Sequence, residues 1–194
     1  MTTVQQQRYY SPDEYLEMEI NSPERHEYID GNMVLMTGGT PNHNQLALNL
    51  SGALNFSLKR QSFRVFVTDQ RLWIPDHRIY TYPDVMVVAK PIQLQEGRKD
   101  TVINPVMIAE VLSKSTKSNY RDEKFAAYRT IPTFQEYLLI DQYKIHVEHY
   151  YKTDLNKWIF SEYQQEDAVI SLVSIPFEIS LADIYDNVDW SENE

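Results

Sequence analysis

The sequence contains no cysteine, and this absence removes several classes of protein at once. A chain without cysteine forms no disulfide framework, no cysteine-ligated zinc site, no iron–sulfur cluster and no thiol nucleophile. No apolar run approaches the ~18 residues of a membrane-spanning helix. The N-terminus also lacks the basic region and apolar core of a secretory signal, so we expect a cytoplasmic protein.

Positive charge is scarce as well. The sequence has 18 Lys and Arg and 28 Asp and Glu, so the net charge is −10 at pH 7. This balance argues against a protein that coats nucleic acids non-specifically, because such binding comes from Lys and Arg on phosphates. A metal-dependent enzyme that acts on DNA is still compatible with it, since the acids can belong to a metal site and the metal brings its own positive charge.

Capping and turn residues divide the chain into short elements. Ser11 predicts the start of a helix, because Glu14 completes a capping box with it. Asp30-Gly31 predicts a tight turn within a hairpin over 25–36. After the hairpin, the sequence predicts a helix from Thr40, strands over 63–68, 71–75 and 83–89, and a polar loop over 90–104. A strand over 106–112, a turn over 113–118 and a helix over 120–129 follow. The last predicted elements are strands over 135–141, 144–151 and 157–163 and a short helix from Ser180.

The order of these elements is typical of an α/β or α+β fold, in which a mixed sheet is flanked by helices. The length of 194 residues fits one domain. We expect residues 1–10 to form a flexible N-terminus, residues 11–187 a single domain and residues 188–194 a C-terminal tail.

Two acidic residues lie in unusually apolar surroundings. Asp84 opens the apolar run DVMVV, and Glu110 lies inside the apolar strand VMIAEVL. A carboxylate in a buried strand is costly unless it is paired, hydrogen-bonded or bound to a metal. Two such groups on neighbouring strands suit an oxygen-preferring cation such as Mg²⁺ or Mn²⁺. Lys124, on the following helix, then suits phosphodiester hydrolysis, because its ammonium can orient water or stabilise an oxyanion.

Each of the three residues also has a purely structural interpretation, and the pattern alone leaves it open. Asp84 can cap or end a strand, and Glu110 can pair with a lysine or arginine that follows it. Lys124 can be a solvated lysine on an amphipathic helix.

Other chemistries have weaker support in the sequence. There is no phosphate-binding loop, no dinucleotide-binding fingerprint and no serine nucleophile elbow. His146 and His149 lie three apart in a predicted strand and so point to opposite faces, which argues against a joint zinc site. Lys59, Arg60 and Arg64 form one modest basic cluster, interpreted either as a solvated helix end or as a contact to a phosphate backbone.

Several ordered motifs closely resemble the Uma2 family, also called DUF820, which is abundant in cyanobacteria. The matching strings are EYIDG (27–31), PDVMVV (83–88), AEVLSKST (109–116), EKFAAY (123–128) and FQEYLLID (134–141). The resemblance implies a restriction-endonuclease-like fold of the PD-(D/E)XK nuclease superfamily. This fold has a central mixed β-sheet flanked by helices, here with an N-terminal helix and hairpin.

The resemblance also implies which residues form the site. The family's metal-binding Asp matches Asp84, and its second metal-binding acid matches Glu110. The superfamily pattern asks for a lysine two positions later, where this chain has Leu112. In the Uma2 group the lysine has moved to the following helix, and this position matches Lys124.

Two further residues match family positions near the site. Glu27 matches an acid of the first strand, implied as a further metal or water contact; the alternative is a surface acid of the hairpin. His43 matches a histidine after a proline-rich loop, implied as a phosphate contact or proton-transfer group; the alternative is a histidine at a helix terminus. Asp69 also matches a residue that recurs in the family, and we interpret it as a residue that supports the site or bends the strand. Family members often have an Asp-Arg pair before the helix lysine, and here the pair is Tyr120-Arg121.

The sequence thus predicts a Mg²⁺-dependent endonuclease that hydrolyses DNA, with Asp84, Glu110, Lys124, Glu27 and His43 at its site. The alternative is a catalytically silent nucleic-acid-binding or protein-interaction module that keeps the nuclease fold. A homodimer is expected, because two active sites must meet the two strands of a duplex.

Overall fold

The computed structural model describes residues 8–113 and 120–193. The α-helices are α1 (Pro12–Asn21), α2 (Pro41–Ser57), α3 (Tyr120–Tyr128) and α4 (Leu181–Ile184). The strands are β1 (His26–Ile29), β2 (Asn32–Leu35), β3 (Phe63–Val67), β4 (Arg71–Ile74), β5 (Ile79–Thr81), β6 (Val85–Ala89), β7 (Thr101–Val102), β8 (Pro105–Leu112), β9 (Glu136–Asp141), β10 (Val147–Asp154), β11 (Lys157–Tyr163), β12 (Val169–Ser171) and β13 (Glu178–Ser180).

The strands form three sheets. The largest has six strands in the order β11-β10-β9-β8-β6-β3, the second has five in the order β2-β1-β5-β4-β7, and β12 pairs with β13. The large sheet is mixed, because β8 and β9 run parallel while β6 and β8 run antiparallel. Helix α3 makes the crossover that parallel neighbours require. The expected α+β class, a mixed sheet flanked by helices, is therefore confirmed.

Local signals at the N-terminal elements act as the sequence predicts. Ser11 caps α1, and the reciprocal bonds of the capping box with Glu14 are both present. The hairpin turn between β1 and β2 places Asp30 and Gly31 at φ 40° and 95°. Both residues are thus in the left-handed region that a tight hairpin turn demands, which glycine adopts at the lowest cost.

The two faces of the large sheet bury separate apolar clusters. Helix α2 covers one face, where Leu46, Leu50 and Leu54 are fully buried against strand residues such as Val87 and Leu138. Helix α3 and residues of the second sheet cover the opposite face. Each strand of the sheet centre is therefore buried on both sides, which explains the continuous apolar run of β8.

Some predicted elements differ from the observed ones. The expected polar loop over 90–104 contains β7, which pairs in parallel with β4. The strand predicted over 144–151 begins only at Val147 and extends to Asp154. Strands β5, β12 and β13 were not predicted, because elements of three residues are too short to show an alternating pattern. The turn expected over 113–118 lies, after Ser113, outside the described residues, as do the first seven residues of the expected N-terminal segment.

Within residues 8–113 and 120–193, no helix has the length and apolar character needed to cross a membrane.

Candidate active site

Asp84 and Glu110 lie side by side because of the register between β6 and β8. These strands run antiparallel with Val85 opposite Ala109, so the start of β6 meets the end of β8. Asp84 Oδ2 accepts a hydrogen bond of 2.8 Å from Val111 N, and Glu110 Oε2 lies 3.4 Å from Asp84 N. The two acids therefore lie next to each other at the edge of the sheet where β6 begins and β8 ends.

Lys124 connects Glu110 to an acid of the second sheet. Its Nζ lies 3.3 Å from Glu110 Oε1 and 2.9 Å from Glu27 Oε1. Glu27 is buried on β1 and also accepts a hydrogen bond from the Thr81 hydroxyl. The ammonium thus lies between two carboxylates that come from different sheets, and α3 brings it there.

His43 reaches the same edge from the first turn of α2. Its Nε2 lies 3.2 Å from Asp84 Oδ2. Thr40 caps the helix by accepting a hydrogen bond from His43 N at 3.1 Å. The ring also packs closely on Gly39, where a Cβ would lie 2.8 Å from His43 Nδ1. Glycine at this position therefore leaves the space that the imidazole occupies.

Burial changes the acidity of Glu110. Desolvation raises the pKa of this carboxyl from 4.5 to about 7, and the negative charges of Asp84 and Glu27 act in the same direction. The charge of Lys124 and a hydrogen bond from Tyr128 lower it in part. Burial is therefore the main reason that the Glu110 carboxyl is less acidic than in water.

The acids also change the acidity of His43. Burial lowers the pKa of the imidazole, but its hydrogen bond to Asp84 and the charges of Asp84 and Glu110 outweigh burial. The pKa of His43 therefore lies above its ordinary value of 6.5. A protonated ring is favoured at this position, because it faces two carboxylates.

The donor set of this edge fits a hard divalent cation. Asp84 and Glu110 present carboxylate oxygens on adjacent strands, which are the ligands that Mg²⁺ and Mn²⁺ prefer. Burial of such a carboxyl away from water raises its pKa, as it does for Glu110. These two residues are the ones that could hold the metal.

A second group of potential metal ligands lies elsewhere on the large sheet. His146, Glu148 and Glu162, at β10 and β11, have ligand atoms within 4.8 Å of one another. His149, in contrast, bonds Glu136 at 2.6 Å, while His146 bonds Glu162 at 3.2 Å. The two histidines thus have different partners, in agreement with the argument against a joint zinc site.

Sequence reasoning does not identify several residues that support the site. Tyr128 is fully buried and donates a hydrogen bond of 2.6 Å to Glu110 Oε1. It follows Lys124 by four residues, a spacing that puts both on one face of α3 and could have revealed it. Gln142 donates to Leu112 O at 2.6 Å and accepts from Thr40 Oγ1 at 2.5 Å. No local pattern indicates this link between the end of β8 and the cap of α2.

Other predicted positions lie at the margin or outside the site. Leu112, where the superfamily has its lysine, is a buried member of the apolar cluster beneath α3. Asp69 is exposed and pairs with Arg25 at 2.5 Å. The side chain of Arg121 lies outside the described part of the structure.

Comparison with known proteins agrees with this architecture. The sequence model of the Uma2 family, described as "Putative restriction endonuclease", matches residues 12–183. Two uncharacterized proteins of Synechocystis sp. are similar over most of their length. The protein sll1609 is 43% identical over 157 residues, which are 81% of this chain and 89% of that protein. The protein slr1290 is 34% identical over 177 residues, 90% of each chain.

A solved structure shows the same fold. The crystal structure of a "putative nuclease belonging to DUF820" from Anabaena variabilis superimposes with a TM-score of 0.72. The match covers 91% of this chain and 97% of that one at 20% sequence identity. The family match and this likeness confirm the resemblance seen in the sequence motifs. The chain belongs to the Uma2 family of restriction-endonuclease-like proteins.

Proposed function

We propose that this protein is a Mg²⁺-dependent endonuclease that hydrolyses phosphodiester bonds of DNA. The observation that carries the proposal is the convergence of side chains from distant parts of the sequence on one sheet edge. They come from β1, α2, the start of β6, β8 and α3: Glu27, His43, Asp84, Glu110 and Lys124. The nuclease descriptions of the family and of its solved relative support the same activity.

In this proposal Asp84 and Glu110 bind the cation through their carboxylate oxygens. A divalent ion held there would activate water and neutralise negative charge on the phosphate. Val111 N fixes the orientation of Asp84, and the Tyr128 hydroxyl fixes that of Glu110. Orienting bonds of this kind keep metal ligands in place before the substrate arrives.

Lys124 acts on the phosphate or on the attacking water. Glu27 holds its ammonium on one side and Glu110 on the other. Lys124 thereby stands in for the lysine that Leu112 cannot supply. A fixed ammonium stabilises the negative charge that develops on the phosphoryl oxygens.

His43 serves as a phosphate contact or as a proton donor to the leaving oxygen. Its raised pKa favours the protonated ring that both roles need. Its bond to Asp84 orients Nε2 toward the metal-binding edge.

A cleavage assay tests the proposal. Plasmid and single-stranded DNA are incubated with Mg²⁺ or Mn²⁺ and with the wild type, Asp84→Ala or Lys124→Ala. Asp122→Ala and Lys99→Ala serve as matched controls, because both side chains are exposed. We expect cleavage by the wild type and both controls, and its loss in both site variants.

The other outcomes are equally informative. Loss in Asp84→Ala alone would keep the metal site and remove the role of Lys124. No cleavage by the wild type, together with no Mg²⁺-linked stabilisation, would favour the catalytically silent module. One native Mg²⁺ site should stabilise the fold by ~2.7 kcal/mol at about 100 times its dissociation constant.

We also propose that the nuclease is a homodimer, in which each of the two sites takes one strand of its DNA target. Sedimentation equilibrium tests this, and a mass equal to the 22.9 kDa of one chain would contradict it.

A further inference from the structure

The part of the sequence that forms α2 and β3 lacks negative charge. Between Asp30 and Asp69 the sequence carries no acidic residue, although the whole chain carries 28. Helix α2 and strand β3 both lie in this stretch. These two elements therefore add only positive charge to their part of the surface, whereas the acids of the segment 183–189 lie on the side of α2 where Asn42 and Asn49 bond to that segment.

Basic groups gather at the far end of α2. Lys59 and Arg60 follow the helix directly, and both are exposed. The structure adds Lys90, whose Nζ donates to Gln61 O at 3.2 Å. Within the described ranges, none of these three cations takes part in a salt bridge. The cluster is thus available to an external anion.

The exposed face of α2 connects His43 with this cluster. Asn44, Leu48, Gly52 and Phe56 follow one another at intervals of one helical turn, and all four are exposed. Phe56 is 83% exposed, next to the basic end. An isolated aromatic ring beside cations is the arrangement that binds single strands, because an unpaired base stacks on the ring while phosphates meet the charges.

The dimensions also fit a nucleic-acid strand. Helix α2 has 17 residues. At ~1.5 Å per residue this is about 25 Å, enough for several consecutive phosphates. One end of the helix is at the candidate active site and the other is at the cations.

We propose that single-stranded nucleic acid binds along this face, which we call the α2 track. The track consists of the exposed α2 residues and the cations at its end: Asn44, Leu48, Gly52, Phe56, Lys59, Arg60 and Lys90. Phosphates meet Lys59, Arg60 and Lys90, and one base stacks on Phe56. The inference rests on the proposed nuclease function for the identity of the bound polyanion. It adds the path that the nucleic-acid strand follows outside the active site.

Fluorescence anisotropy in EDTA tests the α2 track without any cleavage. The probes are a labelled DNA single strand and the duplex of the same sequence, titrated with wild type, Lys59→Glu/Arg60→Glu or Phe56→Ala. The control Lys144→Glu/Lys157→Glu makes the same change in net charge at two exposed lysines elsewhere.

We expect the first double variant to weaken single-strand binding at least about tenfold and to reduce the salt slope by ~0.7 for each lost phosphate contact. The control should change the affinity less than about twofold. Phe56→Ala should weaken single-strand binding about tenfold and duplex binding less.

Equal losses in the double variant and its control would overturn the inference, as would a duplex preference that Phe56→Ala leaves unchanged. The inference would also be overturned if Phe56→Ala converted a dimer to a monomer and left the affinity for the single strand unchanged. The α2 track would then be a self-association surface. Binding through the α2 track without any cleavage would contradict the proposed nuclease alone. Cleavage that depends on Asp84 but not on Lys59 and Arg60 would contradict the α2 track alone.

Discussion

Replacing Glu110 by glutamine should change how the stability of the metal-free protein depends on pH. The pKa of Glu110 rises from 4.5 to about 7 in the folded state, mainly through burial. The folded protein therefore binds more protons than the unfolded chain between these two pH values. Wild-type stability contributed by this group consequently falls as the pH rises from about 4.5 to about 7.

The magnitude follows from the shift. Each pKa unit corresponds to ~1.4 kcal/mol, so the full shift is worth about 3 kcal/mol. Glutamine has no proton to lose and keeps the shape of the side chain. The stability of Glu110→Gln relative to wild type should thus increase by about 3 kcal/mol between about pH 4.5 and pH 8. The hydrogen bonds that the amide loses shift this difference by a constant and leave its pH dependence intact.

Urea denaturation followed by tryptophan fluorescence measures the difference across this pH range in EDTA. Glu123→Gln, an exposed acid on the same helix as Lys124, provides the baseline. A difference between Glu110→Gln and wild type that stays constant with pH would refute the reasoning. Addition of Mg²⁺ at about pH 8 should stabilise the wild type and not Glu110→Gln, because a bound cation offsets the buried charge.

Three further predictions address the support of the site and fold. Gly39→Ala should slow cleavage about tenfold or more, because its Cβ would lie 2.8 Å from His43 Nδ1 and displace the ring. A nuclease assay beside a thermal melt checks this, and unchanged cleavage would contradict it. Leu50→Ala should lower the free energy of unfolding by ~2–5 kcal/mol, since Leu50 is fully buried between α2 and the large sheet; a loss below ~1 kcal/mol in urea denaturation would contradict that packing. Ser11→Ala should cost ~1 kcal/mol in the same assay, through loss of the 3.2 Å cap to Glu14 N, with Ser11→Thr retaining most of it.

The sequence predicted the features that depend on near neighbours. The capping box at Ser11, the turn at Asp30-Gly31 and the buried run of β8 all follow from spacing within a few residues. The acids Asp84 and Glu110 were identifiable for the same reason, because each stands out against its own apolar strand. Short strands escaped prediction, since their pattern is shared with ordinary loops.

Only the tertiary structure decided which side chains meet. Lys124 lies between Glu27 and Glu110 because two separate sheets and α3 close on one edge, and no spacing in the sequence expresses this arrangement. The same holds for the approach of Lys90 to the end of α2. Local propensities act over a few residues, whereas strand register and crossover bring together groups that are far apart in the chain. The sequence by itself therefore determined the elements and the candidate acids, and the packing of those elements determined the site.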